Sequence, residues 1–303
     1  MILILYKMTF TERRFLKYLA IGNEDKHWGI YLTGAGHIKV DKHTQYPLTD
    51  DPSHHYFHWS VGRRLSEYQV LYITRGQGIF ESELTGTRKI NAGDVFFLFP
   101  GVWHRFKPDK ATGWDEYWVE FDGELIRHYR EKGFLVPDNP VVTVGIQEDI
   151  ATNYLKITEL LGEEKPGFQY IASGILLQIL GQIFASRKSI LFEGKAVEKQ
   201  IRQAKLLILE NLHLNVSQES IAESIGMGYS LYRKKFKQYT GLSPARYHIQ
   251  LRISKAKDLL ITSGHSMKEI AHSLGFETTD YFFRLFRQKT GFTPSEFREK
   301  NKR

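Results

Sequence analysis

The C-terminal third of the chain carries one motif twice, about fifty positions apart, and this duplication limits the fold more than any other feature. Ile221-Ala222 returns as Ile270-Ala271, Gly226 as Gly275, Phe236 as Phe286, Thr240-Gly241 as Thr290-Gly291, and Ser243-Pro244 as Thr293-Pro294. Two copies are too few for a solenoid, which needs at least three stacked repeats. Each copy instead has the form of a helix, a tight turn at glycine and a second helix. That is the helix-turn-helix arrangement, whose second helix enters a DNA major groove. The offset is 49 residues at the glycine and 50 at the phenylalanine, so one residue has been gained in the second turn or early in the helix after it.

Spacing assigns the faces of these helices. In the first helix of each copy, Ile221, Ala222 and Ile225, then Ile270, Ala271 and Leu274, supply the small and aliphatic residues that close packing needs. The second helices are predicted over 229–240 and 278–290. Tyr232 and Phe236, like Phe282 and Phe286, fall four apart and should face the core. The opposite face then holds Ser230, Leu231, Arg233, Lys234 and Lys237 in one copy. In the other it holds Thr278, Thr279, Asp280, Phe283, Arg284 and Arg287. Arginine can read guanine with two hydrogen bonds, Ser, Thr and Lys serve bases or phosphates, and Asp can accept from cytosine. The competing explanation for any one of them is solvated surface or phosphate contact alone.

Between the copies, Pro244 to Leu260 predicts a helix about 25 Å long at 1.5 Å per residue. With the widths of the flanking helices, the two second helices fall about 34 Å apart, one turn of B-DNA. One chain would read two successive major grooves at an asymmetric site. Capping signals fix the helix starts: Ser266 with Glu269 forms a capping box, Ser243-Pro244 places proline at the first helical position, and Thr293-Pro294 with Glu296 does both.

Charge agrees with a polyanion-binding segment. Residues 195–303 hold 20 Lys and Arg against 10 Asp and Glu, and the rest of the chain holds 22 against 24. The basic surplus of the protein is therefore confined to the duplicated region, where neutralising phosphates releases counterions. With 303 residues, 42% of them apolar, the chain is long enough for two cored domains, expected at 1–190 and 191–303. The absence of cysteine excludes disulfides, thiolate nucleophiles and cysteine-based zinc sites. The apolar run Ile2–Tyr6 is too short for a signal sequence, and no uninterrupted apolar stretch approaches the ~20 residues of a membrane span, so a cytoplasmic protein without membrane contact is expected.

Residues 25–145 are rich in β-branched and aromatic runs, such as Tyr68–Thr74, Val95–Phe99 and Tyr117–Phe121, separated by Gly-, Pro- and Asp-containing turns. Short strands at such spacing predict a jelly roll or small barrel. From about 147 the period becomes helical. Ile171, Ile175, Ile179 and Ile183 recur every fourth residue after a break at 163–167, which predicts a helical hairpin suited to covering the β-domain or to forming a dimer interface. Residues 187–197 read as the linker, followed by a helix through Val197, Ile201, Ala204 and Ile208. The fold class is thus α+β, an N-terminal β-barrel with a helical hairpin and a C-terminal all-α domain with two helix-turn-helix motifs.

Two resemblances follow from these residues. The stretch Gly275-Phe276, Tyr281–Arg287, Thr290-Gly291 and Thr293–Arg298 resembles the AraC/XylS family of bacterial transcription regulators over about 100 residues. The first copy departs from the family pattern in Tyr232, where Leu is usual, and in an exposed Leu231. In the N-terminal half, Gly93–His104 resembles the second motif of cupin barrels, while the first motif, at Arg75–Gly78, lacks the His and Glu that hold metal in metal-binding cupins. His54, His55 and His58 are not spaced to complete a site. No metal and no cofactor are expected.

The whole segment, including Leu71–Gly78 and Trp114–Phe121, resembles the arabinose-binding domain of AraC-type proteins. That resemblance places His104, Phe106, Glu116 and Trp118 around a sugar pocket, with Arg63 or Arg64 near its polar anchor and residues 27–45 in a ligand-closing arm. It implies a dimeric, effector-responsive activator, with double-stranded DNA, a carbohydrate effector and RNA polymerase as partners. Two rivals stand beside it. One is a cupin-type sugar-modifying enzyme fused to a DNA-binding module, and the other is a ligand-independent architectural DNA binder.

Overall fold

The computed structural model describes residues 14–47, 58–189, 192, 196–214 and 216–301. The run Ile2–Tyr6, His54, His55 and the Glu193–Lys195 part of the expected linker lie outside the described residues. The chain divides into two compact units, Met1–Ile190 and Leu191–Arg303.

The first unit is an antiparallel, cupin-like β-domain with helices. Its strands are β1 (Arg14–Tyr18), β2 (Tyr31–Val40), β3 (Tyr68–Ser82), β4 (Gly86–Asn91), β5 (Asp94–Leu98), β6 (His104–Pro108), β7 (Trp114–Asp122) and β8 (Val141–Thr143). The main path runs β1-β2-β7-β3-β5-β8, and β4 and β6 both pair with β3. The fifteen-residue β3 serves two sheets. Its first half pairs with β5 and β7, with a register shift between Ile73 and Arg75, and its second half pairs with β4 and β6.

Both faces of this sheet are apolar, because alternate residues point to opposite sides. Leu71, Ile73, Phe80, Phe96, Leu98, Phe106, Trp114 and Trp118 fill the interior. Val70, Tyr72, Val95, Phe97, Val119 and Phe121 point outward and are covered by helices. The continuous aromatic run Val95–Phe99 in the sequence has this origin.

The covering layer is the hairpin of α3 (Glu148–Glu163) and α4 (Phe168–Ser189), after the short helices α1 (Asn23–His27) and α2 (Glu124–Glu131). Gln169 of α4 is buried and supplies both bonds that β2 lacks at its bulge: its amide donates to the Leu32 carbonyl (2.9 Å) and accepts from the Leu32 N–H (3.1 Å). The four-residue isoleucine stripe is only half correct. Ile179 and Ile183 are buried, but Ile171 is 59% exposed, since a four-residue step gains 40° per repeat on a 100° helix and drifts off the core face. The core face of α4 runs through Gln169, Ala172, Ser173, Leu176, Ile179, Leu180 and Ile183.

By length and composition alone α4 could cross a membrane, but Gln169, Ser173, Gln178 and Gln182 interrupt its apolar run. In this domain its apolar face packs on the sheet. Two other expectations need correction. Arg187 and Lys188 belong to the last turn of α4, where cations suit the helix dipole, and not to a linker. Residues 31–40 form a central strand between β1 and β7 rather than an arm, while Trp28 is exposed and packs on Tyr170.

The second unit is all-helical: α5 (Ala196–Glu210), α6 (Gln218–Ser224), α7 (Tyr229–Thr240), α8 (Pro244–Thr262), α9 (Met267–Ser273), α10 (Thr279–Thr290) and α11 (Pro294–Asn301). It repeats internally as α5-α6-α7 and α8-α9-α10. Ile201, Ala204 and Ile208 on α5 recur as the buried Ile253, Ala256 and Leu260 on α8. All three cap signals are formed. Ser243 and Ser266 accept from the N–H three residues on, as does Thr293 (3.3 Å), and Glu269 and Glu296 return the bond.

Candidate functional site

The sequence features lead to two sites, one in each unit. In the helical unit, α6-α7 and α9-α10 are the two helix-turn-helix pairs, and their interiors match closely. Tyr232 and Phe236 pack at 5.5 Å and 73°, and Phe282 and Phe286 at 5.6 Å and 66°. The next helix adds a third ring to each: Tyr247 against Phe236 at 5.3 Å, and Phe297 against Phe286 at 5.5 Å. Both second helices end at a left-handed glycine with φ 81°, Gly241 and Gly291. All four core aromatics, Tyr232, Phe236, Phe282 and Phe286, are fully buried.

The extra residue of the second copy lies in the turn. From Gly226 the chain reaches the N-cap of α7 at Gly228, whereas from Gly275 it needs Glu277 as well before the N-cap of α10 at Thr278. This corrects the place given to Thr278: its hydroxyl is the cap, accepting from the Tyr281 N–H at 3.1 Å, instead of a free group on the outer face.

The outer face of α7 is exposed at Ser230, Leu231, Arg233, Lys234 and Lys237, and that of α10 at Asp280, Arg284 and Arg287, with Thr279 and Phe283 half-buried. Each helix holds its arginine over a tyrosine of the preceding turn, Arg233 over Tyr229 and Arg284 over Tyr281, both at 5.6 Å. Stacking limits the rotamers of a long cation and so orders it on the exposed face. A cleft beside α7 is lined by Tyr229, Ser230, Arg233, Lys234, Lys237 and Arg246, among others, with no carboxylate. Sequence reasoning missed Arg246, which belongs to the first turn of α8 and not to the duplicated helix.

In the β-domain an interior cavity of ≈ 40 Å³ is bounded by Arg63, Gln69, Phe106, Glu116, Trp118 and Tyr18, together with Leu16, Ile38, Tyr46, Pro47 and Leu71. That is room for roughly three waters. Arg63, Phe106, Glu116 and Trp118 are brought together as the sequence suggested. Glu116 is buried and accepts from the Tyr46 hydroxyl at 3.3 Å. Tyr18 of β1 stacks on Trp118 at 5.6 Å and 27°. A Cβ at Gly36 would come within 2.8 Å of the Trp118 ring and 2.5 Å of the Phe15 carbonyl, so glycine there lets β1 and Trp118 approach.

Two residues do not stand where the sequence put them. Arg64 points away from the cavity, forming a two-nitrogen ion pair with Glu83 (2.6 and 2.8 Å), because successive residues of extended chain face opposite ways. His104 is 1% exposed and sits behind Arg63, outside the lining. Its Nε2 accepts from Arg63 Nε (3.3 Å) and its Nδ1 faces the Val102 carbonyl (3.0 Å). Burial, reinforced by the Arg63 charge, lowers its pKa to about 3, so it is a neutral acceptor that orients the guanidinium.

Gln69 and Glu120 were missed. Glu120 lies two residues beyond Trp118 on the inward face of β7, a signal the alternation contains, and Gln69 Nε2 donates to it at 3.0 Å. Burial raises the Glu120 pKa to about 8 against the opposing pull of Arg63. The described residues contain no cluster of three or more potential metal ligands, and His58 is exposed.

A cavity-bearing β-domain followed by a duplicated, basic helix-turn-helix unit is the make-up of a DNA-binding transcriptional regulator with a ligand-binding domain. An AraC-like ligand binding domain model matches residues 45–180, and a helix-turn-helix domain model matches residues 221–300. The MmsAB operon regulatory protein of Pseudomonas aeruginosa is 24% identical over 78% of this chain and 76% of its own length. The lactose operon transcription activator of Staphylococcus xylosus is 27% identical over 79% and 87%. The transcriptional activator RhaS of Salmonella schwarzengrund is 34% identical over 37% and 41%. The chain belongs to the AraC family of transcriptional regulators, which are not enzymes.

Proposed function

We propose that this protein is a transcriptional activator that reads two successive major grooves and whose DNA-bound arrangement is set by a sugar or glycoside in the β-domain. The observation carrying the effector class is the lining of the cavity: an aromatic plate, Trp118, with Glu116 on the same face of β7 and with Arg63 and Gln69 also on the wall. A pyranose has an apolar face for the tryptophan and hydroxyls that donate to carboxylates and accept from a guanidinium.

Tyr18 lies on the face of Trp118 that a sugar ring would use, and the present volume is far below that of a monosaccharide. Binding therefore requires β1 to yield, and an effector shifts the protein toward whichever arrangement accommodates it. Names among the relatives support the same class, since one is an activator of a lactose operon.

On the DNA side, Arg233 and Arg284 read bases, with Ser230, Leu231, Thr279 and Asp280 beside them, and Lys234, Lys237, Arg246 and Arg287 hold phosphates. Residues 1–190 form the effector and dimerisation domain, with the exposed Ile171 face of α4 at the homodimer interface, and residues 191–303 form the DNA-binding domain. We place the protein in the cytoplasm, in contact with RNA polymerase. Calorimetry of the full chain against neutral sugars, glycosides and sugar acids is the test. Neutral sugars should bind and Trp118→Ala should abolish the heat; no binding by any of them at millimolar concentration overturns the effector class.

A further inference from the structure

The duplication makes two residues equivalent that behave differently. On α5, Gln200 stands one residue before Ile201, and on α8, Arg252 stands one residue before Ile253, the matching core position. Among the described residues Gln200 bonds within its own copy, its Nε2 donating to the carbonyl of Ile225 at 2.8 Å in the turn of the first helix-turn-helix. Arg252 also lies at its own copy's turn, over the Phe276 ring at 5.6 Å. Its nitrogens, however, reach across to the first copy. Nε donates to the Leu212 carbonyl at 2.9 Å and Nη2 to the Leu214 carbonyl at 2.8 Å, both on the loop between α5 and α6.

The packing around this group leaves little slack. Arg252 is 8% exposed, and burial pulls its pKa down, with no carboxylate within ion-pair distance among the described residues. A Cβ at Gly275 would lie 2.7 Å from Nη2 and 2.8 Å from the His213 carbonyl, so the first copy's loop sits directly on the second copy's turn. Gly275 also has φ +69°, which other residues adopt only with strain. A buried cation bonded to two carbonyls is costly to detach, because its removal leaves both acceptors unsatisfied. Nearby, the Tyr232 hydroxyl donates to Gln218 Oε1 (3.1 Å) and ties α7 to the start of α6.

We propose that Arg252 is the positioning residue that fixes the two helix-turn-helix units relative to each other and so sets the spacing at which one chain reads DNA. The spacing part rests on the proposal that both units read bases; the rigidity part does not. Gln at this position would keep the local role that Gln200 performs and lose the reach to Leu212 and Leu214, so Arg252→Gln isolates the contact between units.

Because the chain has no cysteine, spin labels can be placed uniquely at Gln238→Cys on α7 and Gln288→Cys on α10, both exposed. Electron-resonance distance measurement on the full, DNA-free chain, diluted into excess unlabelled protein so that only the pair within one protomer is read, should give one narrow distribution, broadened or shifted by Arg252→Gln. A folded Arg252→Gln protein whose distribution superimposes on that of the parent overturns the proposal. Should that variant not fold, Arg252→Lys, which brings one nitrogen to two carbonyls, takes its place under the same criterion.

Selection from a random duplex library supplies the second arm. The parent should select two base clusters at one separation, and Arg252→Gln both clusters at several, with about a tenfold loss of affinity for the fixed-spacing site, as expected when the second contact loses preorganisation. Unchanged spacing in the variant overturns the spacing role. A single cluster selected by the parent overturns the two-groove reading and leaves the distance result standing.

Discussion

The two helix-turn-helix units have the same interior and different exteriors. The aromatic triads Tyr232, Phe236, Tyr247 and Phe282, Phe286, Phe297 superpose in spacing, with ring separations between 5.3 and 5.6 Å, and the terminal threonines bond identically, Thr240 to Phe236 and Thr290 to Phe286, both at 2.8 Å. Outside, the 50-residue offset sets Ser230, Arg233, Lys234 and Lys237 of α7 against Asp280, Phe283, Arg284 and Arg287 of α10. Even the turns differ by Glu277. The contrast shows which positions the fold dictates: those that meet another helix are held to one shape, while those that face outward are free to differ.

The strongest challenge to that contrast is to the interior. Phe236→Ala and Phe286→Ala remove equivalent, fully buried rings, and each should cost about 3–5 kcal/mol by chemical denaturation of the full chain. Nearly equal losses are expected. A large loss from one and a small loss from the other would mean that the interiors are alike in geometry but not in energetic weight. The exterior is tested next: Arg233→Ala and Arg284→Ala should each cost about 1–3 kcal/mol and relax base preference at one position, with the two positions about a helical turn apart. If both substitutions weaken binding uniformly across all sequences, these arginines hold phosphates, and the exteriors differ without encoding different bases.

How far the sequence carried depended on what each residue touches. Caps, turns and core positions of the helical unit were legible because their causes are local: Ser266 and Glu269 need only each other, and Phe236 needs only the period of its own helix. In the β-domain, Phe106, Glu116 and Trp118 were placed on the cavity through resemblance, and Glu120 followed from the same alternation but was not drawn. Other features were not legible. Whether Arg63 or Arg64 faces inward depends on one isolated bridge to His104. The placing of Tyr18 on Trp118 joins residues a hundred positions apart, with no local pattern to announce it. The drift of Ile171 off the core face was calculable from 100° per residue, yet a four-residue stripe resembles a helix face so closely that it hid the rotation.

The smallest effects lie at the starts of the two outward-facing helices, where the units differ by a single atom group. Thr278 accepts from the Tyr281 N–H, so Thr278→Ala leaves a first-turn donor without its side-chain partner and should lower stability by about 1 kcal/mol. At the matching position Gly228 has no side chain to offer, its φ of −61° is open to any residue, and no heavy atom lies within 4 Å of where a Cβ would stand. Gly228→Ser should therefore gain a few tenths of a kcal/mol, read as a small rise in thermal midpoint. A stability loss from Gly228→Ser would place the reason for glycine within the free protein, whereas the expected gain means that glycine is retained there by something outside it. Since Gly228 adjoins Tyr229 and Ser230, which line the basic cleft, the comparison should then be repeated on DNA: a variant more stable when free but weaker in binding would place the α7 cap against the phosphate backbone, a role Thr278 does not share.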